Sequence, residues 1–289
     1  MSPDAPDSAP PRKETTARVV RAGPLQDLSD DPVERYQHHF ILLIERNFDA
    51  FDRPVTALDL ACGVGTSTLT LVRKLPPGSR VVAISEDRAE VKIFHEQLTK
   101  EQRRFIFPRK EKRERLPFAP GIFDVTWATL AHERLRPPRP MVRAALRVLR
   151  PGGLLLLTAP LRATFGELVK ALGPSLTGHE SHPAFAALIA EPPDLLGGDA
   201  WLADMKRCGA IDVEVKSETI EMTLTPPLSR QPVFTQNLLP IWIGNNEVLL
   251  AQALRLLDET VKAPLNTTVH IGCIRGRRGT SDIEDSSIG

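Results

Sequence analysis

No Cys-x-x-Cys pair occurs in this chain, and its three cysteines, Cys62, Cys208 and Cys273, are odd in number. That pattern excludes a disulfide framework and a cysteine-held zinc site, and it predicts small buried thiols in a reducing compartment. An excess of one charge is missing too. The 37 basic side chains nearly balance 36 acidic ones, for a net charge of +1. No overall field therefore draws the chain to nucleic acid or to an anionic membrane. No apolar run approaches the ~18 residues of a spanning helix, and no apolar signal-peptide core is visible near Met1. These absences predict a cytoplasmic protein with neither a nucleic-acid nor a membrane partner. No internal repeat is found.

What is present is an ordinary globular composition, 42% hydrophobic and 25% charged over 289 residues. Such a chain can bury a sizeable core unaided. Residues 1–27 and 276–289 are poor in bulky apolar groups and are expected to be disordered tails around a domain spanning 28–275. In DPVERYQHHFILLIERNF, Asp31 can cap a helix with Pro32 at its first position and Glu34 completing a capping box. Val33, Tyr36, Phe40, Leu43, Ile44 and Phe48 then recur at helical spacing.

From Val55 onward, strand-like runs (55–61, 80–85, 104–108, 123–127, 154–159) alternate with helix-like ones (67–75, 86–102, 140–150). The run LLLLTA is apolar at nearly every position, as in a parallel strand covered on both faces. The alternation argues for a doubly wound α/β fold. Later come a run at 168–172, a helix-like one at 199–208, a long strand at 213–225, a helix at 247–262 and a strand at 268–275. The last two strands lack a crossover, so an antiparallel strand is expected at the sheet edge. Residues 226–265 read as an insertion or lid, with an irregular stretch at 226–246.

LDLACGVGTST raises the chemical question. Gly63 and Gly65 follow a buried strand, where a sharp bend lets a ligand touch backbone, and the helix beginning near Thr66 directs free N–H groups at the same spot. Thr68 stands where a dinucleotide fingerprint needs its third glycine, and no Gly-Lys-Ser/Thr ending marks a phosphate loop. What remains, Asp59-x-Ala61-x-Gly63-x-Gly65, resembles the first motif of the class I S-adenosylmethionine-dependent methyltransferases, in a type 11-like methyltransferase domain. RERLPFAPGIFDVTWATLAH, ALRVLRPGGLLLLTAP and WLADMKRCGAIDVEV are similar to three further segments of that family, in order over roughly 55–215. The resemblance implies a mostly parallel seven-stranded sheet with helices on both faces. It also implies S-adenosyl-L-methionine as cofactor, with Asp59, Ala61, Gly63 and Gly65 around its methionine and ribose.

Two positions depart from the family pattern. Strand two ends in Ser85 rather than the acidic residue that accepts the ribose hydroxyls, with Glu86 next in line. A hydroxyl gives only a neutral hydrogen bond. The alternative is that Ser85 or Asp87 caps the following helix, with Glu86 in its first turn. Lys112 stands where the family often has an aspartate that accepts from the adenine amino group, and an ammonium cannot accept. The surrounding PRKEKRERLPF reads as a solvated charged loop.

Sulfonium methyl transfer needs alignment more than a fixed catalytic group. After strand four, His132 is the candidate base and Glu133 its orienting partner. His179 and His182 have ligand-like spacing but no third ligand, so no metal is expected, and His38 and His39 point to different helix faces. Phe234 and Trp242 either wall an acceptor pocket or anchor a loop. The resemblance implies a methyltransferase acting on a small molecule. The rival, motivated by Ser85 and Lys112, is a degenerate relative that serves as a binding or regulatory module. The sequence gives no reading of oligomeric state.

Overall fold

The structure, a computed structural model, describes residues 32–130, 139–176, 197–231, 234–235, 239 and 247–280. Helix α1 (Pro32–Arg46) begins at the expected proline, whose missing N–H is harmless at a first helical position. Tyr36, Phe40, Leu43 and Ile44 on one face of it are buried. Asp31 and the side chains of Val33 and Glu34 lie outside the described residues.

Seven strands form one sheet: β1 (Thr56–Asp59), β2 (Arg80–Ser85), β3 (Ile106–Lys110), β4 (Phe123–Thr129), β5 (Leu149–Pro160), β6 (Ala210–Leu224) and β7 (Leu265–Arg278). Their order is β3-β2-β1-β4-β5-β7-β6. Pairings from β3 through β5 are parallel. The antiparallel strand of that side of the sheet is β7, which slots between β5 and β6, so that β6 forms the rim. Around the sheet stand α2 (Thr66–Leu71), α3 (Arg88–Gln97), α4 (Arg139–Val148), α5 (Gly166–Leu176), α6 (Gly198–Arg207) and α7 (Glu247–Thr260). This is the doubly wound, mostly parallel architecture expected from the alternation.

The leucine run shows why the sheet must be covered on both faces. Leu154 and Leu156 join the core under α1, α5 and α7, while Leu155 and Leu157 join the core under α4 and α6. Successive strand side chains point to opposite faces, and each fully buried leucine contributes about 2 kcal/mol.

Two elements end earlier than their apolar spacing suggests. Helix α3 stops at Gln97 because Thr99 opens a new turn: Thr99 Oγ1 accepts from Gln102 N–H at 3.2 Å, and Gln102 Oε1 accepts from Thr99 N–H at 2.9 Å. That reciprocal pair is a capping box. Helix α2 has only six residues before it tightens into a 3-10 turn. In the other direction, β7 continues three residues past the expected strand end. There Arg278 lies buried, and its Nη1 donates to the Arg147 and Leu149 carbonyls at 2.8 and 2.5 Å.

Glu167, in the first turn of α5, fastens that helix to β7. It accepts from Thr268 N–H at 3.0 Å, Thr267 Oγ1 at 2.9 Å and Thr268 Oγ1 at 3.0 Å. Chiefly the Thr268 backbone bond lowers the Glu167 pKa from 4.5 to about 2. A depressed carboxyl pKa contributes stability above its unfolded value that is lost as pH falls toward the folded one. Between pH 4.5 and about 2, thermal melts should therefore show wild type losing stability faster than Glu167→Gln. Parallel acid profiles of the two proteins would contradict this fastening role.

Candidate functional site

Strand order reverses between β1 and β4, and in open α/β sheets ligands bind beyond the carboxyl ends of the strands at such a switch point. The turn leaving β1 lies there. It is braced by both neighbours: Leu60 N–H donates to the Trp127 carbonyl at 2.8 Å and Cys62 N–H to the Ile84 carbonyl at 3.0 Å. Gly65 N–H then closes onto the Cys62 carbonyl at 2.8 Å.

Both glycines are in left-handed backbone, Gly63 at φ 52° and Gly65 at φ 103°. A Cβ at Gly65 would stand 2.2 Å from the ring of Phe94, which α3 lays across the turn and which is wholly buried. A Cβ at Gly63 would meet only Glu90 Oε1, at 4.0 Å. Gly65 is thus required by packing, whereas Gly63 presents bare backbone to open space that a ligand can fill.

Asp59, at the end of β1, is fully buried beneath this turn. Its Oδ2 accepts from Ser67 Oγ and Thr68 Oγ1, both at 2.7 Å, and its Oδ1 from Ala61 N–H at 3.1 Å. Burial raises its pKa, opposed by the bonds from Thr68, Ser67 and Ala61 and by the nearby Trp127 indole. Trp127 Nε1–H closes no hydrogen bond of ordinary geometry among the described residues. The hydroxylated residues after the glycines therefore hold the carboxylate that shapes the turn, with Ala61 supplying one of the three donors.

At the end of β2, Asp87 caps α3, its Oδ1 accepting from Ala89 N–H at 2.7 Å. Ser85 Oγ accepts from Asp87 N–H at 3.0 Å and donates to Glu90 Oε2 at 2.5 Å. Glu86 is half exposed and turned to Arg113, 3.4 Å away. The carboxylate brought to the glycine turn is Glu90, five residues past the strand end, which the sequence reading did not single out. Its pKa is raised, first by burial and then by Asp87, while Ser85 and Arg113 oppose the rise. Burial, Asp59 and Glu90 together push the Cys62 thiol up, which suits an inert buried cysteine.

Lys112 is exposed two residues beyond β3. The Leu-Pro-Phe stretch after it is clamped from α4: Arg147 donates to the Leu116 carbonyl at 2.7 Å and the Phe118 carbonyl at 2.8 Å. Phe118 meets Phe123 edge-on at 5.2 Å. At the opposite, amino end of the sheet, Asp124 accepts from Thr56 N–H at 2.8 Å and from Arg53 and Arg150 at 2.7 Å each.

His132, Glu133, His179, His182 and Trp242 lie outside the described residues. Phe234 is buried in the core with Leu228 and Leu239. Among the described residues no group of three His, Cys, Asp or Glu is placed to hold a metal, and no helix is long and apolar enough to cross a membrane. Also among them, a cavity of about 330 Å³ lies between α1 and β6, lined by His39, Arg46 and Glu218, away from the glycine turn.

A family model described as "Methyltransferase domain" matches residues 58–157, the stretch that contains the turn, β2 to β4 and most of β5. That stretch is similar to the methyltransferase domain family, in keeping with the class I, S-adenosylmethionine-dependent pattern that the four sequence segments resemble. A protein of transposon TN4556 from Streptomyces fradiae, named only by its mass of 37.1 kDa, is 33% identical over 114 residues, 39% of this chain. The match spans about a third of that protein's length, 32%.

Among solved structures, YcgJ of Bacillus subtilis superposes with a TM-score of 0.55 at 15% identity, over 84% of this chain and 100% of that one. The [4+2]-cyclase SpnF gives 0.54 at 17% identity, over 91% and 89%. A phosphoethanolamine N-methyltransferase of Haemonchus contortus, solved with phosphomonomethylethanolamine and S-adenosylhomocysteine, gives 0.52 at 14%, over 84% and 53%. At these identities the likenesses show the methyltransferase fold.

Proposed function

We propose that the chain transfers a methyl group from S-adenosylmethionine to a small-molecule acceptor. The observation that carries this reading is the Gly63 backbone, left-handed, bare and open at the switch point, with an ionisable carboxylate 4.0 Å from where a side chain would begin. The donor set fits the cofactor's chemistry. Backbone at Gly63 and Gly65 can lie against the methionine and ribose portions, and the buried Asp59 charge below favours an ammonium above. Ala61 and Ser85 complete the wall, while Glu86 turns away to Arg113 and Lys112 is exposed.

When bound, the cofactor supplies an electrophilic methyl group on a sulfonium. The chain's task is then to align an acceptor and take its proton. His132 is proposed as the base and Glu133 as its orienting partner, in the segment leaving β4. The near-zero net charge supports a small acceptor over nucleic acid. The small acceptor is also in keeping with the phosphomonomethylethanolamine in the Haemonchus complex. The exposed Lys112 in place of a carboxylate favours a second reading, a binding module that transfers no methyl.

Titration calorimetry with S-adenosylhomocysteine decides first. Saturable heat at micromolar to low-millimolar ligand is expected, and a folded sample that gives no heat at millimolar ligand would reject the cofactor reading. Given binding, transfer of labelled methyl to a small-molecule extract separates the enzyme from the module.

A further inference from the structure

We propose that Glu90, held by Ser85, is the residue that recognises the ribose diol of the nucleoside. The proposal rests on the cofactor reading above and assigns its sugar subsite to a side chain of α3 rather than to the end of β2.

The end of β2 carries no charge. Ser85 is buried and offers only a hydroxyl. That hydroxyl is already committed on both sides, accepting from Asp87 N–H at 3.0 Å and donating to Glu90 Oε2 at 2.5 Å. It has no proton left for a ligand and acts as a positioning group. Glu86, the adjacent carboxylate, leans out to Arg113.

Glu90 differs on each count. One oxygen is pinned by Ser85, which fixes the carboxylate plane, and Oε1 is the atom that stands nearest the open side of Gly63. A carboxylate is acceptor-only and can take two donors at once. Vicinal hydroxyls present two donors at that spacing, and charge-assisted bonds to them are about twice as strong as neutral ones. Placed on the first turn of α3 and locked at Ser85, Glu90 does for the sugar what a strand-end carboxylate would do, from the neighbouring element. Its half-buried setting excludes competing water on one side.

The test compares S-adenosylhomocysteine with its 2′-deoxy analogue by titration calorimetry on the full chain. Wild type should prefer the hydroxylated ligand by about tenfold or more. In Glu90→Gln, S-adenosylhomocysteine should weaken about thirtyfold and the preference should fall to within about twofold. Glu86→Gln should keep a preference near wild type. Thermal melts identify a variant that has not folded. Glu90→Asp, which keeps the charge but draws it back by one methylene, should also lose most of the preference. A folded Glu90→Gln or Glu90→Asp with undiminished preference overturns the proposal, as does loss of preference in Glu86→Gln alone. Wild type that fails to bind S-adenosylhomocysteine rejects the cofactor reading itself, a result distinct from either.

Discussion

Gly65→Ala is expected to unfold at denaturant concentrations at which wild type is still folded. The residue sits at φ 103°, ψ 2°, where a Cβ is strained, a cost of about 1–3 kcal/mol. The added methyl also lands 2.2 Å from two atoms of the Phe94 ring. Phe94 is wholly buried against Leu69, Ala83 and Ile106, so it has nowhere to retreat. Overpacking of that kind costs about 1–3 kcal/mol more. Together these amount to about 2–6 kcal/mol, a large part of a domain's stability of about 5–15 kcal/mol. Gly63→Ala supplies the contrast. Its methyl meets nothing closer than 4.0 Å, and left-handed backbone alone costs alanine about 1–2 kcal/mol. That variant should fold yet bind S-adenosylhomocysteine at least about tenfold more weakly, because the methyl occupies ligand space. Denaturant midpoints and calorimetry on the pair check both halves. Equal stability of the two variants would show that Phe94 does not seal the turn.

Asp59→Ala should cost about 3 kcal/mol, through the loss of one acceptor shared by three donors. Ser67 Oγ, Thr68 Oγ1 and Ala61 N–H all point at it from buried or half-buried positions. Asp59→Asn keeps the shape and one acceptor oxygen, and should cost roughly 1 kcal/mol. The pH dependence separates charge from shape. Because burial raises the Asp59 pKa above its ordinary 3.8, the folded state takes up a proton before the unfolded state does. Wild type should thus gain stability relative to Asp59→Asn as pH falls through the raised value, with the gain complete below 3.8. Urea titrations of both proteins across that range measure it. A difference independent of pH would mean that the charge of Asp59 is not felt by the fold.

The strands and the turn were legible because their signals are local. LLLLTA is apolar on both faces, and Gly63 and Gly65 stand one residue apart after a buried strand. Glu90 was not legible because its role depends on helix phase. The spacing suggests a helix from Glu86, but Asp87 caps it and the helix begins at Arg88. At about 100° per residue, a start displaced by two residues turns each side chain far around the axis. Glu86 is thereby left outside, and Glu90 swings over the glycines. The early stop of α3 was written in Thr99-x-x-Gln102, a pattern that competes with helical continuation once its two bonds close. The insertion of β7 between β5 and β6 has no local signature, since it depends on which edge of a distant strand is free. For the candidate base His132, the sequence reading itself is the support.

Asp124 and Arg150 belong to two of the four segments that carry the family resemblance, and they bind one another at 2.7 Å at the amino end of the sheet. With Arg53 and Thr56 they form a footing, a full strand length from the glycine turn. Those two letters of the resemblance are therefore masonry, carrying load rather than taking part in reaction. Likeness read from those letters speaks of the scaffold, and a guide to catalysis should weigh the few positions facing Gly63 above those that support it.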